Sequence, residues 1–361
     1  MNILIDIGHP AHVHYYRNLA NDLIARDHKV IWTVKRLPVA EKLLNYYGFN
    51  YTVFPKKADG LVGKAIRQLH YDMKLLRICK KENIQFAIGT SVTIAHVSAI
   101  SNLKSILFDD DDDSVQPLVA KFVKPFVNTI VTPDVIKNTS KNTVQYSGYH
   151  ELAYLHPNRF KPDPKVLEIA GLKKGEVFFI MRFNVFKAHH DLGVKGLTIE
   201  QKQKLIEILK PYGKVFITTE RDIEPEMSQY QLRIPPEQIH SLMAFSSLFI
   251  GDSQTMTQEA AVLGVPALKC NSLAGKLSVP NELEKRSGLM YSFIPSDFDN
   301  LTNKLNELLS TPNLLKDWQD RRQRMLKDKI DVTAFWVWFV ENYPTSAKVM
   351  KENPDYQYNF K

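Results

Sequence analysis

The sequence predicts an α/β protein of two domains, each a mainly parallel sheet with helices on both faces. Three observations carry this expectation. Apolar strand-like runs alternate with helix-periodic runs almost from end to end, the rhythm of a parallel sheet with crossover helices. That rhythm breaks at residues 148–164, where Pro157, Pro162 and Pro164 and mixed polarity suit a linker. A chain of 361 residues is also long for one core.

The elements read in order. Ile3–Ile7 is an apolar strand and Val13–Ala25 a helix. Lys29–Val34 is a strand and Val39–Tyr47 a helix. Tyr51–Phe54 is a short strand, followed by a long basic helix over Leu61–Lys81. Phe86–Gly89, Ser105–Phe108, Asn128–Val131 and Thr143–Tyr146 continue the strands. Beyond the linker the strands are Val177–Met181, Lys214–Thr218, Leu248–Ile250, Ala267–Cys270 and Leu289–Tyr291. The helices there are Glu200–Leu209, Glu237–Phe245, Met256–Leu263, Phe298–Leu309 and Asn313–Lys327. The expected domains are residues 1–155 and 166–330, joined by 156–165. A tail, 331–361, contains a helix at Val332–Asn342 that is apolar all round, so it should be buried, packed across the domain junction.

Composition narrows the function. A 44% hydrophobic share and 24% charged residues are ordinary for a soluble globular enzyme. No apolar run reaches the ~18 residues of a membrane span. The N-terminus reads as a strand rather than a signal peptide. Two cysteines, Cys79 and Cys270, make neither a disulfide framework nor a zinc motif. A cytoplasmic protein is expected. The net charge of +8, from 47 bases and 39 acids, favours anionic ligands or an anionic surface. No nucleic-acid-binding motif is present, so nucleic acid is not an expected partner.

The most informative segment is Phe249–Leu268. It reads as a strand, a polar turn at Gly251-Asp252-Ser253, a helix and a second strand. Glycine permits a tight turn. The first amides of the helix have no intrahelical partner and form an anion cradle, with the Ser253 and Thr255 hydroxyls beside it. Glu259, one helical turn past Thr255, is placed to accept hydrogen bonds from ribose. A nucleoside diphosphate fits such a site. The plainer alternative makes Asp252 or Ser253 a helix cap and Glu259 a solvated helix residue.

Other groups share the sheet edges where ligands bind in parallel α/β folds. Arg182 ends the first strand of the second domain and suits bidentate phosphate contact. Lys187, His189 and His190 follow on a loop, with His190 the preferred contact. Thr219, Glu220, Arg221 and the loop Asn271–Lys276 are weaker candidates. The first loop carries His9, His12 and His14. His9 or His12 is a candidate base for an acceptor hydroxyl, against a structural role bonding carbonyls. His14 is expected to be structural. The histidine spacing fits no zinc pattern. Asp109–Asp113 follows a buried strand, and crowding should raise the pKa of some members, against the alternative of a solvated loop. Magnesium on this run is a minor option, and no metal site is assigned. The Leu61–Lys81 helix interleaves bases with Leu69, Tyr71, Leu75 and Leu76. It suits peripheral contact with anionic lipid at the inner face of the membrane, or simply covers the sheet with its basic side outward.

Residues 6–14, 108–110, 148–157 and 251–256, together with the Asp331-Val332-Thr333-Ala334-Phe335 tail, resemble the family catalogued as domain of unknown function 354, over nearly the whole chain. The resemblance implies a GT-B architecture of two Rossmann-like domains whose parallel sheets face a central cleft. It also implies distant similarity to UDP-N-acetylglucosamine 2-epimerase and the lipid II glycosyltransferase. Gly251–Glu259 is similar to the epimerase phosphate and ribose motif. Ser253 matches its phosphate-binding serine and Glu259 its ribose-binding acid, while Gln254 and Thr255 replace two glycines. In the family, acids recur at the positions of Asp110 and Asp112, which selects those two as catalytic candidates beside His9 and His12.

The resulting expectation is a glycosyltransferase in surface polysaccharide synthesis. Its donor would be a nucleoside diphosphate sugar, UDP-linked by resemblance, and its acceptor a glycan or lipid-linked molecule. No further cofactor is expected. The donor would be held by Arg182, His190, Gly251, Ser253, Gln254, Thr255 and Glu259. The alternatives are a UDP-sugar 2-epimerase or hydrolase, whose Arg-Pro-Glu signature the first loop lacks, and a non-catalytic nucleotide-sugar-binding protein.

Overall fold

The computed structural model describes residues 1–56, 60–137, 140–183, 196–219 and 223–361. The chain divides into two compact units, one formed by Met1–Arg159 with Lys329–Lys361, the other by Phe160–Asp328.

The first unit holds a seven-stranded sheet. Its strands are β1 (Asn2–Ile7), β2 (Lys29–Lys35), β3 (Tyr51–Phe54), β4 (Phe86–Gly89), β5 (Lys104–Phe108), β6 (Thr129–Pro133) and β7 (Thr143–Tyr146). Their order is β3-β2-β1-β4-β5-β6-β7, with every pair parallel. In β1 the side chains of Ile3, Leu4, Ile5 and Ile7 are all buried. A strand covered on both faces must be apolar at successive positions, so it reads as a continuous run.

The second unit holds five parallel strands: β8 (Phe178–Phe183), β9 (Lys214–Thr219), β10 (Leu248–Gly251), β11 (Ala267–Cys270) and β12 (Met290–Phe293), in the order β12-β11-β10-β8-β9. The chain runs from β8 outward to β9, then returns to place β10 on the other side of β8.

The tail belongs to the first unit. The helix Val332–Glu341, expected across the domain junction, finds its ring partners within the first unit. Trp336 is fully buried against Phe108 (4.2 Å between ring centroids), Tyr16 and Tyr146. An all-apolar helix needs partners on every side, and these rings supply them. Asp331 caps the helix through the Ala334 amide at 3.0 Å and receives the Arg159 guanidinium at 2.8 Å. Arg159 also pairs with Asp22 at 2.8 Å, tying the chain exit to the first helix.

The structure adds a helix that the hydrophobic pattern did not mark, Val92–Ala99. It is apolar on most sides, so it has no amphipathic period. Ser91 starts it by accepting from the Thr93 amide at 3.1 Å. Among the described residues no helix is long and apolar enough to cross a membrane.

Candidate functional site

Each sheet has a point where its strand order reverses, and open parallel sheets bind ligands just beyond the strand ends there. In the second unit that point lies between β8 and β10. Arg182 on β8 stands in register with Gly251 on β10. The Asp252 amide donates to the Arg182 carbonyl at 3.1 Å. The Arg182 Nη1 donates to the Thr218 hydroxyl on β9 at 3.1 Å. The Asn271 side-chain amide donates to the Asp252 carbonyl at 2.9 Å and so joins the ends of β10 and β11.

The reason for glycine at 251 differs from the tight turn expected. Its φ is not in the left-handed region. A Cβ there would lie 2.1 Å from the Arg182 carbonyl oxygen, so the close approach of β8 excludes any larger residue.

The helix Gln254–Val262 begins directly after the turn. Ser253 is its N-cap, accepting from the Met256 amide at 3.4 Å. The Gln254 and Thr255 amides then have no acceptor inside the helix and point toward the reversal point. Lys269, fully buried on β11, donates to Gln254 Oε1 at 2.7 Å. Burial pushes the Lys269 ammonium down to about 8, with Glu284 opposing the shift. Glu259 is buried rather than solvated. Its Oε1 lies 3.0 Å from His240 Nε2, and both side chains are almost wholly enclosed. His190, Lys187, His189, Glu220 and Arg221 lie outside the described residues.

In the first unit the reversal lies at β1, which pairs with both β2 and β4. The helix Pro10–Ile24 starts there. His9 is its N-cap and accepts from the Ala11 amide through Nδ1 at 3.2 Å. His12 Nδ1 accepts from the Gly8 amide at 3.3 Å, and the Thr90 hydroxyl after β4 lies 3.1 Å from Nε2. His14 is buried and stacks on Tyr154.

The aspartate run splits into different environments. Asp109 is buried with Lys124 Nζ 2.5 Å away. Burial raises its carboxyl to about 6, against the opposing pull of Lys124. Asp111 is raised well above its ordinary value, by burial first and then by Asp110 and Asp109. Burial is thus the main cause of both rises, with neighbouring carboxylates adding to it, while Asp110 moves the other way. Its Oδ2 lies 3.3 Å from His150 Nδ1 and accepts from the Tyr15 hydroxyl at 3.1 Å. Burial alone would raise it, but the charge and hydrogen bond of His150, then His12 and Tyr15, bring it down to about 2. That favours the charged form of Asp110, a carboxylate placed to hold a neighbouring cation. Asp112 accepts the Val115 and Gln116 amides at its main-chain carbonyl, opening the turn after β5. Among the described residues no group of acids, histidines or cysteines is arranged to hold a metal ion.

Sequence reasoning missed Thr90, Tyr15, His150, His240 and Lys269. His150 stood inside a quoted motif but was read as the approach to a linker. Its imidazole is wholly buried, 5.1 Å from the Tyr15 ring.

Two parallel-sheet units with these strand orders make a GT-B fold. A UDP-N-acetylglucosamine 2-epimerase shares it with a TM-score of 0.63 and 13% identity, over 90% of this chain and 94% of that one. The spinosyn rhamnosyltransferase SpnG, solved with thymidine diphosphate, shares it with a TM-score of 0.60 and 12% identity, over 94% of this chain and 100% of that one. The chain belongs to the family described as "Protein of unknown function (DUF354)", which matches residues 1–342. The uncharacterized protein MJ0665 of Methanocaldococcus jannaschii is 23% identical over 291 residues, 75% of this chain and 82% of that protein.

Proposed function

We propose that the protein is a glycosyltransferase that moves a sugar from a nucleoside diphosphate sugar, UDP-linked in this reading, to a hydroxyl of a glycan or lipid-linked acceptor. Surface polysaccharide synthesis on the cytoplasmic side is the matching role. The observation that carries the reading is the placement, at one sheet-order reversal, of Arg182 on β8 beside the strand whose end opens the helix Gln254–Val262. A guanidinium and a helix N-terminus are complementary to pyrophosphate.

In this reading the diphosphate rests on the Gln254 and Thr255 amides, the Ser253 and Thr255 hydroxyls, Arg182 and His190. Glu259 takes the ribose hydroxyls, sharing its carboxylate with His240. The acceptor oxygen attacks the anomeric carbon as the bond from that carbon to the diphosphate oxygen breaks. The helix N-terminus and Arg182 stabilise the charge on the departing nucleoside diphosphate. His12 takes the acceptor proton in the first unit, and the Asp110 carboxylate stabilises the imidazolium that forms. Both histidines accept a main-chain amide through Nδ1, and His12 is preferred because its charge acts on Asp110. Further support comes from SpnG, a fold neighbour solved with thymidine diphosphate.

The test is release of UDP from a panel of UDP-sugars, with and without glycan and lipid-linked acceptors. Acceptor-dependent release is the expected result. The epimerase neighbour motivates a second reading. Deuterium exchange at C2 of the donor sugar without any acceptor would establish that reading instead. Tight binding with no turnover would make the protein a nucleotide-sugar-binding protein.

A further inference from the structure

The helix Leu61–Lys81 has two apolar sides. Tyr71, Leu75 and Cys79 enter the core, packed with Ile94 and Val97 of the Val92–Ala99 helix. A sheet-covering helix needs only that side. Yet Val62, Ile66, Leu69 and Met73 are 74%, 65%, 63% and 52% exposed. Positions 62, 66, 69 and 73 follow helical spacing, so they form one stripe on the solvent side.

The helix carries Lys64, Arg67, Lys74, Arg77, Lys80 and Lys81 against one acid, Asp72. Asp72 is engaged by His96 at 2.8 Å, and Lys74 turns inward to the Val53 carbonyl at 3.0 Å. Arg77, Lys80 and Lys81 are exposed, and Lys64 and Arg67 are half-buried. The Val92–Ala99 helix also packs through Ala95 against Val123 and Val127. The segment containing these two valines exposes Leu118, Phe122 and Phe126, with the Lys121 ammonium over the Phe122 ring. Two exposed apolar groups, both edged by bases, thus flank one shared helix.

We propose that this face of the first unit docks on an anionic lipid bilayer. Val62, Ile66, Leu69 and Met73 enter the headgroup–acyl boundary, and the flanking bases meet lipid phosphates. Amphipathic helices with basic flanks bind in this way, by apolar burial together with attraction to anionic headgroups. A second copy of the chain is the poorer occupant. A twofold interface lays the same surface on itself, bringing the exposed Arg77, Lys80 and Lys81 of both copies together while Asp72 is engaged by His96. An anionic bilayer turns that repulsion into attraction. The inference does not depend on the reaction proposed above.

The test floats the full-length protein with vesicles of phosphatidylcholine alone and of phosphatidylcholine with phosphatidylglycerol. The expected result is binding to the anionic vesicles at least about tenfold tighter than to the neutral ones. The double variant Ile66→Ser/Leu69→Ser should bind the anionic vesicles about tenfold or more weakly, with circular dichroism and the thermal unfolding midpoint unchanged. Both side chains are exposed, so the fold survives the change. Absence of wild-type binding to anionic vesicles would overturn the proposal. So would a wild-type dimer, seen by light scattering, that the double variant converts to monomer while vesicle binding persists.

Discussion

Gly251 and Arg182 face each other in register on neighbouring strands, and a Cβ on Gly251 would lie 2.1 Å from the Arg182 carbonyl oxygen. The glycine thus sets how closely the start of the helix Gln254–Val262 approaches the arginine strand. Gly251→Ala must push β10 away from β8. It should cost about 1–3 kcal/mol of stability by urea denaturation and weaken UDP binding by calorimetry. Ser253→Ala is the comparison. It removes the cap hydroxyl, costs roughly 1 kcal/mol, and leaves the strand spacing intact.

The proposed division between His12 and Asp110 is separable by kinetics and stability. His12→Ala should lower turnover about 10²–10⁴-fold with UDP affinity unchanged. His150→Gln should move the acid limb of the stability–pH profile to higher pH, because Asp110 loses the charge that holds it near 2. The sign follows from the depressed carboxyl. In the wild type its stabilising effect is present above the unfolded value and is lost only as pH falls through about 2. A purely structural His150 would reduce the amount of folded enzyme without moving that limb.

Lys269 predicts the opposite pH behaviour. Burial lowers its ammonium to about 8, so the folded protein binds that proton less tightly than the unfolded chain. The cost of the buried charge is present below 8 and relieved as pH rises from there toward the unfolded value of about 10.4. Lys269→Met should therefore be more stable than wild type at pH 7, with the difference shrinking by pH 10 in thermal unfolding. Wild-type affinity for UDP should fall as pH rises through 8, because Gln254 loses its charged partner. The methionine variant should lose that pH dependence.

The strands were legible because burial on both faces writes itself as an apolar run, as in Ile3–Ile7 and Leu248–Ile250. The turn at Asp252–Ser253 was legible because caps are local chemistry. The partner of Glu259 was not, since His240 sits on another helix with no marker near the turn. Asp109 and Asp110 are identical neighbours in sequence, yet Lys124 faces one and His150 the other, so their carboxyls move in opposite directions. Leu69 and Leu75 likewise read as one interleaved set on the basic helix. The fold sends Leu75 inward and leaves Leu69 in solvent.

The central claim is that the β10 turn and its helix hold a nucleoside diphosphate. Titration calorimetry of UDP into wild type, Ser253→Ala and Glu259→Gln tests it most directly. The account predicts binding to wild type and at least about tenfold weaker binding to each variant, with the fold retained. Wild type that binds no nucleoside diphosphate, or binding that both substitutions leave untouched, would contradict it.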